Sequence, residues 1–120
     1  MATYSKQLLS GSTQGKAIKV VATASVGTTI HTTGTSATAI DEVWLWAYNS
    51  SGSAVNLTIQ FGGTATPDND ILLAIPAVSG LTLVVPGLIL AGTGAAGNTV
   101  AAYAGTTNVI TITGYVNRVA

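Results

Sequence analysis

The 120-residue chain has no cysteine, a single histidine, three prolines and eight formally charged side chains, four basic and four acidic. Without cysteine there is no disulfide framework and no thiolate metal site, as expected for synthesis in a reducing cytoplasm. One histidine excludes a His-rich zinc site within one chain. Charge stands at 7% of residues, against about a quarter in ordinary soluble domains. The only cations are Lys6, Lys16, Lys19 and Arg118, so no basic stripe exists to neutralise the several phosphates of a nucleic-acid partner. Long apolar runs are missing too. Residues 71–78 and 83–91 are the most apolar, but Pro76, Pro86 and Gly87 break them far below the roughly 18 residues of a membrane span. The polar stretch from Ala2 to Gly15 lacks the apolar segment of a secretory signal. No membrane partner is expected.

What the chain has instead is apolar surface to bury. Hydrophobic residues make up 48% and mean hydropathy is +0.53, which excludes disorder. The length suits one domain with one core. A folded chain of this mass exposes roughly 6,000 Å², leaving about one formal charge per 750 Å². Net charge is zero. Such a surface favours association, so much of it is expected to lie in contacts between subunits.

The periodicity is that of strands. Ile18, Val20, Ala22 and Ala24 alternate with Lys19, Thr23 and Ser25 across residues 16–26. Val55-Asn56-Leu57-Thr58-Ile59-Gln60-Phe61 alternates throughout and stops at Gly62-Gly63. With Val43-Trp44-Leu45-Trp46-Ala47-Tyr48 and the turn residues 49–53 it forms an expected hairpin. Further strands are expected at 71–75, 81–85, 88–91, 99–103 and 109–119, with Pro86-Gly87 as a type II turn. No segment carries a helical stripe. The fold class expected is all-β: an antiparallel, jelly-roll-like β-sandwich of about eight short strands at 16–120, preceded by an extended N-terminal arm at 1–15. From Ile71 to Asn117 there is no charged residue, so edge strands there lack their usual charged guards.

The chemical motifs fail on context. Gly92-Thr93-Gly94-Ala95-Ala96-Gly97 matches a dinucleotide fingerprint, but a strand follows where a helix is needed and no acid lies beyond it. Gly11 to Ala17 is one residue short of a phosphate loop and has Ala17 where a magnesium hydroxyl should stand. His31, within Thr28-Thr29-Ile30-His31-Thr32-Thr33, is expected as a surface loop or strand residue. No nucleophile elbow is present, and the chain is not expected to be an enzyme. Asp68-Asn69-Asp70 after Pro67 is expected to form an Asx-type turn rather than a calcium site. No metal or cofactor is expected. The glycosylation patterns at Asn49 and Asn56 are those of a Ser/Thr-rich chain without a secretory signal.

The aromatics carry more. Trp44, Trp46 and Tyr48 share one face of their strand while Val43, Leu45 and Ala47 share the other. Either the aromatic face meets a partner, where Trp and Tyr are common anchors, or the strand is central and covered on both faces. A sugar-stacking platform is a third possibility, short of convergent acids and amides. The candidate interface residues are Trp44, Trp46 and Tyr48, with Tyr4, Leu8 and Leu9 of the arm and Tyr103 and Tyr115 nearer the C-terminus.

Several segments together resemble a known group. They are Trp44-Leu45-Trp46-Ala47-Tyr48-Asn49, Asn56 to Thr64, Ile75-Pro76-Ala77, Ser79-Gly80-Leu81, Val84-Val85-Pro86-Gly87-Leu88 and Gly114-Tyr115-Val116-Asn117-Arg118-Val119. Over about residues 42–119 this pattern is similar to small head proteins of tailed bacteriophages, above all the capsid decoration, or cement, proteins. The resemblance implies a β-rich module made in the host cytoplasm and carried on the virion. It implies binding as a dimer or trimer to the outside of an assembled head, bridging major capsid proteins. A receptor- or glycan-binding module of a head or tail fibre is the alternative.

Overall fold

The computed structural model describes residues 3–78 and 80–120; Met1 and Ala2 of the expected arm, and Ser79 of the quoted turn pattern, lie outside the described residues. Among the described residues there are nine strands and no helix: β1 (Tyr4–Leu8), β2 (Ile18–Lys19), β3 (Thr28–Thr32), β4 (Ile40–Asn49), β5 (Val55–Phe61), β6 (Asp70–Ile75), β7 (Thr82–Ala91), β8 (Thr99–Ala104) and β9 (Ile110–Val119). Every pairing is antiparallel. One sheet runs β1-β9-β4-β7, with β2 also on β9, and the other runs β3-β8-β5-β6.

The sheets pack face to face as a sandwich because both present their apolar alternates inward. Val43, Leu45, Ala47, Ile112 and Val116 of the first sheet meet Ile30, Leu57, Ile59, Val100 and Ala102 of the second, all fully buried. The total exposed surface is 6058 Å². Of the eight charges, Asp41 is buried and pairs with the partly exposed Arg118, which thins the free charge on that surface further.

Four expectations are corrected. β4 and β5 do not form a hairpin, since they lie in different sheets. Alternation decides which residues face the core, but a hairpin and a sheet-to-sheet arch alternate alike; the turn chemistry decides between them. Here Asn49 is wholly buried. Its Nδ2 donates to the carbonyls of Ser53 at 2.8 Å and Ile75 at 3.0 Å, and its Oδ1 accepts from the amide and hydroxyl of Ser51. That net carries the chain from one sheet to the other. The loop at 92–98 likewise crosses between sheets, from β7 to β8, with the Thr93 hydroxyl accepting from the amides of Ala95 and Ala96.

Pro86-Gly87 is not a turn. β7 runs through it, and the register steps from Val43↔Leu88 to Trp44↔Pro86, leaving Gly87 as a bulge at φ 77°. Proline is tolerated because β7 is an edge strand. The expected strand at 16–26 shrinks to β2, after which the chain leaves β9 for the other sheet. The Ala104 amide bonds to the Ala22 carbonyl there, and the buried Gln60 side chain bonds Ser25 and the Gly27 amide. Finally, the expected N-terminal arm is part of the domain from Tyr4 onward. β1 pairs in full with β9, and Leu9 is 2% exposed in the core.

Candidate interface on the outer face of the five-stranded sheet

Directly opposed residues of antiparallel strands point to the same side, so the register lists what shares the outer face of this sheet. β4 contributes Glu42, Trp44, Trp46 and Tyr48; β9 places Asn117, Tyr115, Thr113 and Thr111 opposite them. β1 adds Leu8 opposite Tyr115 and Lys6 opposite Asn117, with Tyr4 at the end. On the other flank β7 sets Ile89 opposite Glu42 and Leu83 opposite Trp46. Tyr4, Leu8, Leu83 and Ile89 are between 43% and 78% exposed, so this apolar face is open along both flanks.

Its centre is an aromatic stack. The rings of Trp44 and Trp46, two residues apart on one strand, lie 6.2 Å apart and 19° from parallel. Tyr115, diagonal to Trp46, continues the stack at 6.1 Å and 30°. The Lys6 ammonium sits 4.8 Å from the Tyr115 ring centroid, a cation–π contact at one end. At the other end the Trp44 indole rests on Gly87, where a Cβ would lie 2.7 Å from Cζ2. The bulge therefore has a purpose in packing: only glycine gives the indole room there and adopts that φ freely.

Polar groups fix the stack sideways. The Trp44 indole N–H donates to Glu42 Oε1 at 2.6 Å, and the Asn117 amide donates to the same oxygen at 3.2 Å. Trp44 first and Asn117 second hold the Glu42 carboxyl below its usual range. Beside them, Tyr4, Ser5, Lys6, Glu42, Asn117 and Val119 line a shallow depression of about 350 Å³.

The sequence-derived candidates divide. Trp44, Trp46, Tyr48, Tyr115, Tyr4 and Leu8 do share this face. Leu9 does not, being buried in the core. Tyr103 does not either: it lies opposite Thr58 on the outer side of the second sheet. Lys6, Glu42, Asn117, Leu83 and Ile89 also belong to the face. Alternation within one strand does not show which strands are neighbours, so these five were not among the sequence-derived candidates.

His31 is corrected as well. It stands on β3 but is 1% exposed. The Ser10 amide donates to its Nδ1 at 3.1 Å, so that nitrogen is an acceptor and the proton is on Nε2, which donates to Asp41 Oδ2 at 2.7 Å. Arg118 grips the same carboxylate, Nε to Oδ1 at 2.8 Å and Nη2 to Oδ2 at 3.0 Å. Burial alone raises the Asp41 pKa, but the hydrogen bonds from Arg118 and His31, with the charge of the Arg118 guanidinium, outweigh it and hold the carboxyl below its ordinary 3.8. The network ties β3, β4, β9 and the turn after β1 together inside the sandwich. Among the described residues, the bonds of the ring nitrogens are those to the Ser10 amide and the Asp41 carboxylate.

In the 62–70 loop the turn is built by Asn69 rather than by the flanking acids. Its Oδ1 accepts from the Ala65 amide and its Nδ2 donates to the Phe61 carbonyl. Comparison of the chain with family models, with curated proteins and with solved structures gives no match.

Proposed function

We propose that this chain is a structural protein of a bacteriophage head. It binds the outside of the assembled capsid as a homo-oligomer, dimer or trimer, and bridges neighbouring major capsid subunits through the outer face of its five-stranded sheet. The observation that carries this reading is the face itself: a preordered aromatic stack with exposed apolar flanks, on a chain with very few free charges. Because the rings are locked by their own contacts, docking them costs little side-chain entropy. The mechanism is mechanical, with apolar contacts across subunit seams opposing the pressure of packaged DNA. It needs no catalysis, cofactor, membrane or nucleic-acid contact, and it places the protein on the virion after synthesis in the host cytoplasm.

The strand order supports a jelly-roll within the sandwich. β1 and β2 both pair with β9 and, counted as one interrupted strand, give two four-stranded sheets in the orders β1/β2-β9-β4-β7 and β3-β8-β5-β6. That arrangement of two Greek keys recurs in viral capsid and lectin domains. The likeness of the strand and turn pattern to decoration proteins points the same way.

A glycan- or receptor-binding module of a head or tail fibre is the second reading, favoured by the depression where Lys6, Glu42 and Asn117 meet Tyr4. Against it, the Trp and Tyr rings turn their faces to one another, whereas a sugar needs a free ring face. Mixing the purified protein with undecorated heads and, separately, with a glycan array distinguishes the two. Head binding without glycan binding is expected; glycan binding without head binding overturns the decoration reading.

A further inference from the structure

A sandwich of two open sheets has four edges, and three of these are guarded. β1 is five residues long with Lys6 at its centre. β7 carries Pro86, which has no N–H, and two register shifts. β3 has a shift of its own and is covered by the turn after β1, since Gly11 donates to the Ile30 carbonyl and the Thr32 amide donates to the Ser10 hydroxyl.

β6 is different. It ends its sheet, and its register against β5 runs unbroken from Gln60↔Asp70 to Val55↔Ile75. Its one charge, Asp70, stands at its first residue, and no proline falls inside it. The direction of its free groups follows from the ladder. The Phe61 amide donates to the Asn69 carbonyl, and in an antiparallel pair bonded residues alternate, so Ile71, Leu73 and Ile75 turn their main-chain groups toward β5. Leu72 and Ala74 therefore turn theirs outward. The Leu72 side chain beside them is 73% exposed.

We propose that β6 pairs with β6 of a second copy, antiparallel about a two-fold axis at Leu73, joining two four-stranded sheets into one of eight strands. The edge is self-complementary in this register. Leu72 lies opposite Ala74 of the second copy, so both residues' N–H and C=O groups are all used in four hydrogen bonds. Asp70 falls opposite Pro76 of the second copy and beyond the ladder, so no like charges meet. Inner faces stay inner, as alternation demands. Because two edges consume each other, the assembly closes at two chains. This rests on the self-association part of the proposed function; head binding through the other sheet is a separate surface.

Light scattering of the full chain at micromolar concentration tests it, with Ala74→Pro and Leu72→Lys as variants. The Ala74 N–H points away from β5 and Leu72 is exposed, so neither change removes a bond within the chain. The wild type is expected at twice the 12.0 kDa chain mass and both variants at one chain mass. In the dimer the Leu72 amide exchanges at least about tenfold more slowly than in the Ala74→Pro variant, and the Ala74 amide at least about tenfold more slowly than in Leu72→Lys. Monomeric or trimeric wild type overturns the proposal. So does a dimer that survives both variants, or one that dissociates on Leu83→Lys in the other sheet. Should Ala74→Pro fail to fold, Leu72→Lys decides alone.

Discussion

Replacing Asp41 with asparagine probes the buried network with little change of shape. In the wild type one carboxylate receives three donors, from His31 Nε2 and from Arg118 Nε and Nη2. An asparagine amide must turn its NH2 toward at least one of these. His31 cannot adjust, because its Nδ1 is held as an acceptor by the Ser10 amide. Leaving one partner of a buried pair uncompensated costs about 3–5 kcal/mol. The Arg118 side chain is 32% exposed, so water recovers part of that loss, and about 3 kcal/mol is the working figure. For a domain of this size that lowers Tm by roughly 12 °C.

The pH dependence sharpens the test. The folded Asp41 pKa lies below its ordinary 3.8, so unfolding takes up a proton. The carboxylate's contribution is therefore complete above about pH 5 and is lost as the pH falls through 3.8 toward the lowered folded value. Urea titrations of wild type and Asp41→Asn should show the full gap at pH 7 and a gap that narrows steadily as the pH is lowered below 3.8. A gap under about 0.5 kcal/mol at pH 7, or one that does not shrink in acid, would refute the reasoning.

Further perturbations address three separate parts of the fold. Leu9→Ala opens a cavity in the core and should cost about 2–4 kcal/mol by chemical denaturation, and removal of residues 1–9 should abolish cooperative unfolding; a dispensable segment would leave both unchanged. Gly114→Ala sets a Cβ onto the Trp44 carbonyl oxygen across the β4–β9 ladder, so loss of about 3 kcal/mol or of soluble protein is expected, along with a changed near-ultraviolet Trp signal. Gln60→Ala frees the Ser25 hydroxyl and the Gly27 amide, at about 1–3 kcal/mol, and the Gly27 amide should then exchange faster; unchanged exchange would show that the side chain does not pin this segment.

Much of the core was legible in the sequence. The alternation of Val43, Leu45 and Ala47, and of Leu57 and Ile59, gave their inward faces correctly, because burial on one side of a strand leaves a local signature. The aromatic face followed from the same alternation. Sheet membership was not local. Whether Asn49 ends one arm of a hairpin or turns an arch depends on its bonds to Ser53 and to Ile75, 26 residues away. Pro86-Gly87 carries the letters of a turn, and only the Trp44 indole above it makes a bulge the better use of that glycine. The bonds of His31 to Asp41 and of Arg118 to the same carboxylate span up to 77 residues, so one histidine in a Thr-rich stretch gave no hint of burial.

The most direct test of the capsid-binding account is a titration of undecorated heads with wild type and with the double variant Leu83→Lys, Ile89→Lys. Both leucine and isoleucine are exposed, so the variant should keep its stability to within about 0.5 kcal/mol. The wild type should saturate the heads at a fixed copy number per capsomer, and the folded variant should not bind. Absence of wild-type uptake, or equal uptake of the variant, would contradict the account.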